Sequence, residues 1–288
     1  MIMNILLRAL LICSMLFAGP LVLAESGQTE KTQIEIVQAE TAQAVLAALA
    51  LSDIIEVMRQ EGLAQAVDVT GGFLPSTAAV AWRRDLDAIY DVNWMKATVA
   101  AHFARELGDA DMSDVLAFLT STDGKRLVAL EVSARQAMSD ASIEDAARSV
   151  YRASGDASDA RRDLVTTFIS RNNMVAANVE SALHASFSYY RGLRESGALE
   201  MSDQEIIEEV WATEAETRSD TSEWLHAFLW MAYAPLDNSV LAEYSALSAT
   251  GAGQQMNKAL FASFDQMFAE IFYALGLKTG QALQTQNL

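Results

Sequence analysis

The sequence predicts an all-α protein, a multi-helix bundle built from two related helix-hairpin halves. Three observations carry this. After residue 24 the chain keeps only two prolines, Pro75 and Pro235, and no stretch alternates polar and apolar residues with enough β-branched ones for a strand. Apolar residues recur instead at helical spacing. One module is also written twice. Leu107, Met112, Val115, Phe118, Ser121, Gly124 and Leu127 answer in order to Leu236, Leu241, Tyr244, Leu247, Thr250, Gly253 and Met256, at a single offset (253 less 124). In each copy an apolar stripe stops at a Ser/Thr-x-x-Gly break and a second stripe follows, the pattern of a helix–turn–helix hairpin used twice.

Residues 1–24 read as a secretory signal. Arg8 is their only charge, an apolar stretch runs from Ala9 to Phe17, and Gly19-Pro20 breaks it. Val22-Leu23-Ala24 presents small residues where a signal peptidase reads, so cleavage is expected after Ala24 and the mature protein is expected in the periplasm. The apolar run is short for a membrane span and no basic stop-transfer cluster follows, so no stable membrane insertion is expected after cleavage. Cys13, the one cysteine, leaves with the signal. The exported chain then has no disulfide, thiolate nucleophile or cysteine-based zinc site. The formal charge of −18 becomes one unit more negative on loss of Arg8. Such an acidic chain is repelled by nucleic acid and by anionic lipid.

The elements follow in order. Residues 25–34 are polar and expected to be disordered. The first helical half spans 35–155. It opens with a helix from about Glu35 to Leu49; Ser52 then caps a second, with Ile54, Ile55, Met58 and Leu63 on one side. Gly71-Gly72 and Pro75 end that unit, and Ser76 or Thr77 opens a helix through Trp82, Leu86 and Ile89. Asp91 caps the next, carrying Met95, Val99 and Phe103 up to Gly108. A hairpin over 111–138 bends at Ser121, and Ser139-Asp140-Ala141-Ser142 caps a short helix before the break at Ser154-Gly155-Asp156. The second half spans 156–288. It begins with one long helix from about Asp159 to Arg194, and Ser202 to Glu205 has capping-box spacing for a helix to about Glu216. Thr221 starts another, ended by Pro235, and a hairpin over 238–275 follows, with the last dozen residues frayed.

At the breaks, Ser121 and Thr250 can accept from an orphan N–H of the following helix, a cap worth ~1 kcal/mol. Gly124 and Gly253 fall in the first helical turn, where Gly costs roughly 1 kcal/mol against Ala. A cost at the same place in both copies points to close backbone approach rather than to a left-handed C-cap.

The stretch Leu116-Ala-Phe-Leu-Thr-Ser-Thr-Asp-Gly-Lys-Arg-Leu127, within 112–128, resembles the bacterial exported domain of unknown function 2059. Phe118, Ser121 and Gly124 match its Phe-x-x-Ser-Pro-x-Gly-x-Lys turn, Thr122 stands where Pro is usual, and a weaker second copy lies at 241–257. The resemblance implies an exported helical protein with no assigned activity, and it transfers no catalytic residue.

Catalytic and cofactor motifs are missing. There is no Gly-x-Ser-x-Gly, no Gly-x-x-x-x-Gly-Lys and no Gly-x-Gly-x-x-Gly. His102, His184 and His226 each have an acid one turn away, respectively Glu106, Glu180 and Glu223. Glu223-Trp-Leu-His226 is one Glu-x-x-His, whereas a di-iron bundle site needs two plus further acids, so these read as surface acid–imidazole pairs and no metal or cofactor is assigned. The stripe Leu260, Phe261, Phe264, Phe268, Ile271, Phe272 and Leu275 reads as a buried face, as do the five tryptophans; the rival is a docking face for a protein partner or a second copy. The functional expectation is a non-catalytic binding, scaffold or chaperone-like module of the cell envelope working between its two halves. The alternative is a cell-wall-directed or metal-dependent hydrolase whose site gathers from several helices.

Overall fold

The computed structural model describes residues 28–70, 79–155 and 160–286. The expectations for the signal, for Gly71-Gly72, Pro75, Ser76 and Thr77, and for Asp156 and Asp159 lie outside those residues. The helices are α1 (Gln28–Ala48), α2 (Leu51–Thr70), α3 (Ala79–Ile89), α4 (Val92–Leu107), α5 (Ser113–Thr120), α6 (Thr122–Met138), α7 (Ala141–Ala153), α8 (Ala160–Arg171), α9 (Met174–Glu195), α10 (Asp203–Trp211), α11 (Glu214–Tyr233), α12 (Asn238–Ser248) and α13 (Gly251–Gln286). No strand occurs among the described residues. The protein is an all-α multi-helix bundle.

Most helix starts follow from local chemistry. Asp91 Oδ1 accepts from Trp94 N at 2.8 Å, and Asp140 Oδ1 from Ser142 N at 2.8 Å. The capping box at Ser202 is complete: Ser202 N donates to Glu205 Oε2 at 2.7 Å and Glu205 N to Ser202 Oγ at 3.3 Å. Gly108, at φ 60, closes α4.

Five boundaries differ from expectation. Helix α2 begins at Leu51, so Ser52 lies within its first turn rather than capping it, and the chain turns into it at Ala50, at φ 53. Helix α1 begins at Gln28 rather than Glu35, so residues 28–34 are helical; once a helix is nucleated, each further residue adds a backbone bond at little cost. The single helix expected from Asp159 to Arg194 is two, broken at Asn173, which sits at φ 44. Asn tolerates that left-handed region, and Asn172 beside it donates to Phe168 O from both its backbone N at 3.0 Å and its side chain at 2.6 Å, closing the end of α8. Helix α10 stops at Trp211 and α11 starts at Glu214 instead of Thr221; the Thr213 hydroxyl takes the Val210 carbonyl at 2.7 Å. Finally, α13 runs on to Gln286 instead of fraying.

The two breaks share one geometry. Gly124 N donates to Ser121 Oγ at 3.0 Å, and Gly253 N to Thr250 Oγ1 at 3.1 Å. A Cβ on Gly124 would lie 2.8 Å from Leu119 Cα and closer still to Phe118 O. One on Gly253 would lie 2.8 Å from Ser248 Cα and closer to Leu247 O. Neither glycine has positive φ, which among the described glycines belongs to Gly108, Gly155 and Gly197. Each break therefore presses the new helix onto the last turn of the one before it, and no side chain fits between.

Beyond the breaks, α13 does not lie back along α12. It packs chiefly against α9 and α4. At 36 residues it reaches ~54 Å, and the 11-residue α12 covers only a fraction of that length. The halves are consequently crossed: α4 lies on α13, while α11 lies on α6 and α7. Two hydrogen bonds repeat the exchange. Arg126 Nη2 donates to Pro235 O at 2.7 Å, and Gln255 Nε2 donates to Glu106 O at 2.5 Å. Residues 126 and 255 hold matching places after their breaks, and each takes a carbonyl just past or at the end of a helix in the other half.

One hydrophobic core runs through both halves, with Phe103, Leu119, Tyr233 and Phe268 fully buried and Phe118 stacked on Tyr244 at 5.5 Å between centroids. The stripe on α13 is core: Phe261, Phe264, Phe268, Ile271, Phe272 and Leu275 are buried. The tryptophans divide. Trp82 and Trp224 are buried, whereas Trp211 is 62% exposed, because it ends a short helix whose packing rests on Ile206 and Val210. Among the described residues no single helix is long and apolar enough to cross a membrane. The bent pair 37–48 and 51–66 passes by length and composition together, and its Val45, Leu46, Ile55 and Met58 are core residues.

Candidate functional site

Where the crossed halves meet they leave a cavity of about 120 Å³. The first half supplies Leu46 from α1, Ile54 and Met58 from α2, and Glu131, Val132 and Arg135 from α6. The second half supplies Phe168 from α8, Asn172 at the α8–α9 corner, Phe228 from α11, Tyr244 from α12, and Met256, Asn257, Leu260 and Phe264 from α13. Helical phase explains the α13 wall: positions 256, 257, 260 and 264 fall on one face. The walls are mostly apolar, with four polar side chains among them.

Those four are differently engaged. Arg135 makes a two-pronged ion pair with Glu61, Nε to Oε1 at 3.0 Å and Nη2 to Oε2 at 2.5 Å, and Ser139 Oγ donates to the same carboxylate at 2.8 Å. The guanidinium also lies over the Trp224 ring, 5.3 Å from its centroid. Both partners are nearly inaccessible, at 7% and 10% of side-chain surface, so this charge is already balanced. Glu131 is half-buried and takes a hydrogen bond from the Tyr233 hydroxyl. Burial pushes its carboxyl up to about 7, against the downward pull of that hydroxyl, so near neutral pH much of it is protonated and able to donate. Asn257 Nδ2 donates to Asn172 Oδ1 at 3.1 Å, and Asn172 Nδ2 is committed to Phe168 O.

The histidines lie elsewhere, and none takes the expected acid as its hydrogen-bond partner. His102 Nδ1 is 2.6 Å from Arg105, which itself pairs with Glu106. His184 pairs across to Asp265 on α13 at 2.8 Å, and that bond raises its pKa. His226 faces the Ser222 carbonyl at 2.7 Å and stacks on Tyr151; burial lowers its pKa. Glu223 is bound instead to Arg152 at 3.0 Å, with Arg148 at 3.8 Å. Acids on neighbouring helices or arginines on the same helix out-compete an i,i+4 partner whose geometry is only marginally favourable. Among the described residues no three His, Cys, Asp or Glu side chains gather closely enough to hold a metal ion.

The polar members of the cavity wall were not singled out from the sequence. The signal was present: Glu131 and Arg135 stand four and eight residues after Leu127 on its buried stripe, and Asn257 follows Met256 on the matching one. A charge in an apolar phase marks a buried partner or a site, but phase alone does not say which.

A family model described as an uncharacterized protein conserved in bacteria, domain of unknown function 2059, matches residues 93–152. The match takes in α5, α6 and the first break, so over that segment the chain is similar to this family. No curated protein and no solved structure matches the chain.

Proposed function

We propose that this is an exported, non-catalytic helical module, made of two copies of one unit, that works by holding an apolar ligand between them. The observation that carries the reading is the cavity itself, walled by both halves where their helices cross. The matching caps, glycine approaches and reciprocal carbonyl bonds support the two-copy origin. The N-terminal apolar segment and the acidic charge support export and argue against nucleic-acid or anionic-membrane partners. The metal-dependent form of the hydrolase alternative finds no group of three His, Cys, Asp or Glu side chains fit to hold a metal ion among the described residues.

Two measurements test the reading. Cell fractionation with N-terminal sequencing is expected to find a mature chain in the periplasm beginning at Glu25; a chain recovered only from the cytoplasm would remove the export claim, and an uncleaved one the cleavage site. Xenon is a neutral probe for cavities of this size. Uptake by the purified protein, seen as a xenon NMR shift that disappears in Leu260→Trp, is expected; its absence would sink the cavity as the working site.

A further inference from the structure

We propose that the cavity takes a compact, uncharged molecule: an apolar body the size of one aromatic ring, bearing a single hydroxyl or carbonyl that hydrogen-bonds to Asn257. This rests on the reading that the cavity is the working site. Size comes first. About 120 Å³, in a pocket partly open to solvent, is close to the ~150 Å³ of an engineered apolar cavity that takes up benzene or xenon. Phe168, Phe228, Tyr244 and Phe264 then bring aromatic groups to the wall, suited to edge or offset contact with a ring.

The polar end narrows the class. Asn257 is only 6% exposed, donates one N–H to Asn172, and makes no other side-chain hydrogen bond among the described residues. Asn257 lines the cavity with its carbonyl oxygen and second N–H bonded to no protein group, and neither is a sealed-off atom, so a guest's hydroxyl or carbonyl can take the place of solvent on them. A carboxylate would not suit: Arg135, the one cation among the described lining residues, is already bound two-pronged to Glu61 and has no charge left to balance a guest's.

Phenol, benzene and xenon are the probes for the purified mature protein. Phenol is expected to bind at millimolar concentration and raise the melting temperature, and benzene to bind about tenfold more weakly, the worth of one net hydrogen bond. Asn257→Leu is expected to erase that preference. Leu260→Trp is expected to abolish both, with Val132→Phe as a second filler if circular dichroism shows the first misfolded. Equal affinities for phenol and benzene, or phenol binding untouched by the fillers, would overturn the ligand class. Xenon uptake without phenol binding would do the same and leave the cavity reading intact; no xenon uptake would overturn the cavity reading beneath it.

Discussion

After the first break the chain makes α6, 17 residues long, turns at Ser139-Asp140 and continues as α7; after the second it makes α13, 36 residues without a turn. The entry to both is the same, yet the outcome is not. In the first half Asp140 accepts from Ser142 N and starts a new helix. The matching stretch of the second half is Phe268-Ala269-Glu270-Ile271, which offers no cap and a buried apolar face. Further on, α13 meets α9 backbone to backbone. A Cβ on Gly192 would lie 2.6 Å from Leu277 N, and one on Gly276 3.1 Å from Leu193 N. The lesson is that a break is set locally, within four residues, whereas the length of the helix after it depends on capping and on whom it packs against.

The largest test concerns the charge held in one half only. Arg135 is matched in the second half by Phe264, at the same place after the break. Arg135→Met leaves Glu61 buried without its partner, and chemical denaturation is expected to show a loss of ~3–5 kcal/mol. Removing both charges, Glu61→Leu with Arg135→Met, is expected to cost far less. If single and double changes cost the same, the pair does not act as a unit.

Next comes the straightness of α13. Gly276→Leu forces α9 and α13 apart and is expected to cost about 3 kcal/mol, read as a shifted urea midpoint. An unshifted midpoint would mean that the close crossing is not what keeps α13 continuous. Gly124→Leu and Gly253→Leu are expected to cost about 2 kcal/mol each, a drop of several degrees in melting temperature for a chain of this size. Losses differing by more than about 1 kcal/mol would break the equivalence of the two breaks. Ser121→Ala and Thr250→Ala remove the caps alone and are each expected to cost ~1 kcal/mol.

The last test is of pH dependence. Glu131 is matched by Leu260, so its titration belongs to one half. Its folded-state value of about 7 lies above the ordinary 4.5, so the folded protein keeps a proton that the unfolded chain releases. Its contribution is full below about pH 4.5 and is lost as pH rises to about 7. His184, raised mainly by its bond to Asp265, adds in the same sense, its share lost as pH climbs above 6.5. His226, lowered by burial, acts oppositely and loses stability as pH falls below 6.5. Denaturation midpoints across this range are therefore expected to slope gently downward with pH. Glu131→Gln should flatten the part between about pH 4.5 and 7, and an unchanged slope would refute the assignment.

Much of this molecule was readable in its residues because the forces concerned are local. Helical periodicity gave the fold class, the hydroxyl and glycine at 121 and 124 and again at 250 and 253 gave both breaks, and Ser202 to Glu205 gave a capping box. Each depends on contacts within about one turn of helix. Where the reading failed, the deciding partner lay far along the chain. His184 chose Asp265 over Glu180, α13 chose α9 and α4 over α12, and Asn173 entered a left-handed corner that split an apparently continuous stripe. The cavity belongs to that second kind. Glu131, Asn172 and Asn257 carry no motif; they become a wall only because two crossed halves bring α6, the α8–α9 corner and α13 to one place. Local hydrogen bonding and periodicity wrote the helices into the sequence, while burial among distant helices, which no spacing records, decided where the polar groups meet.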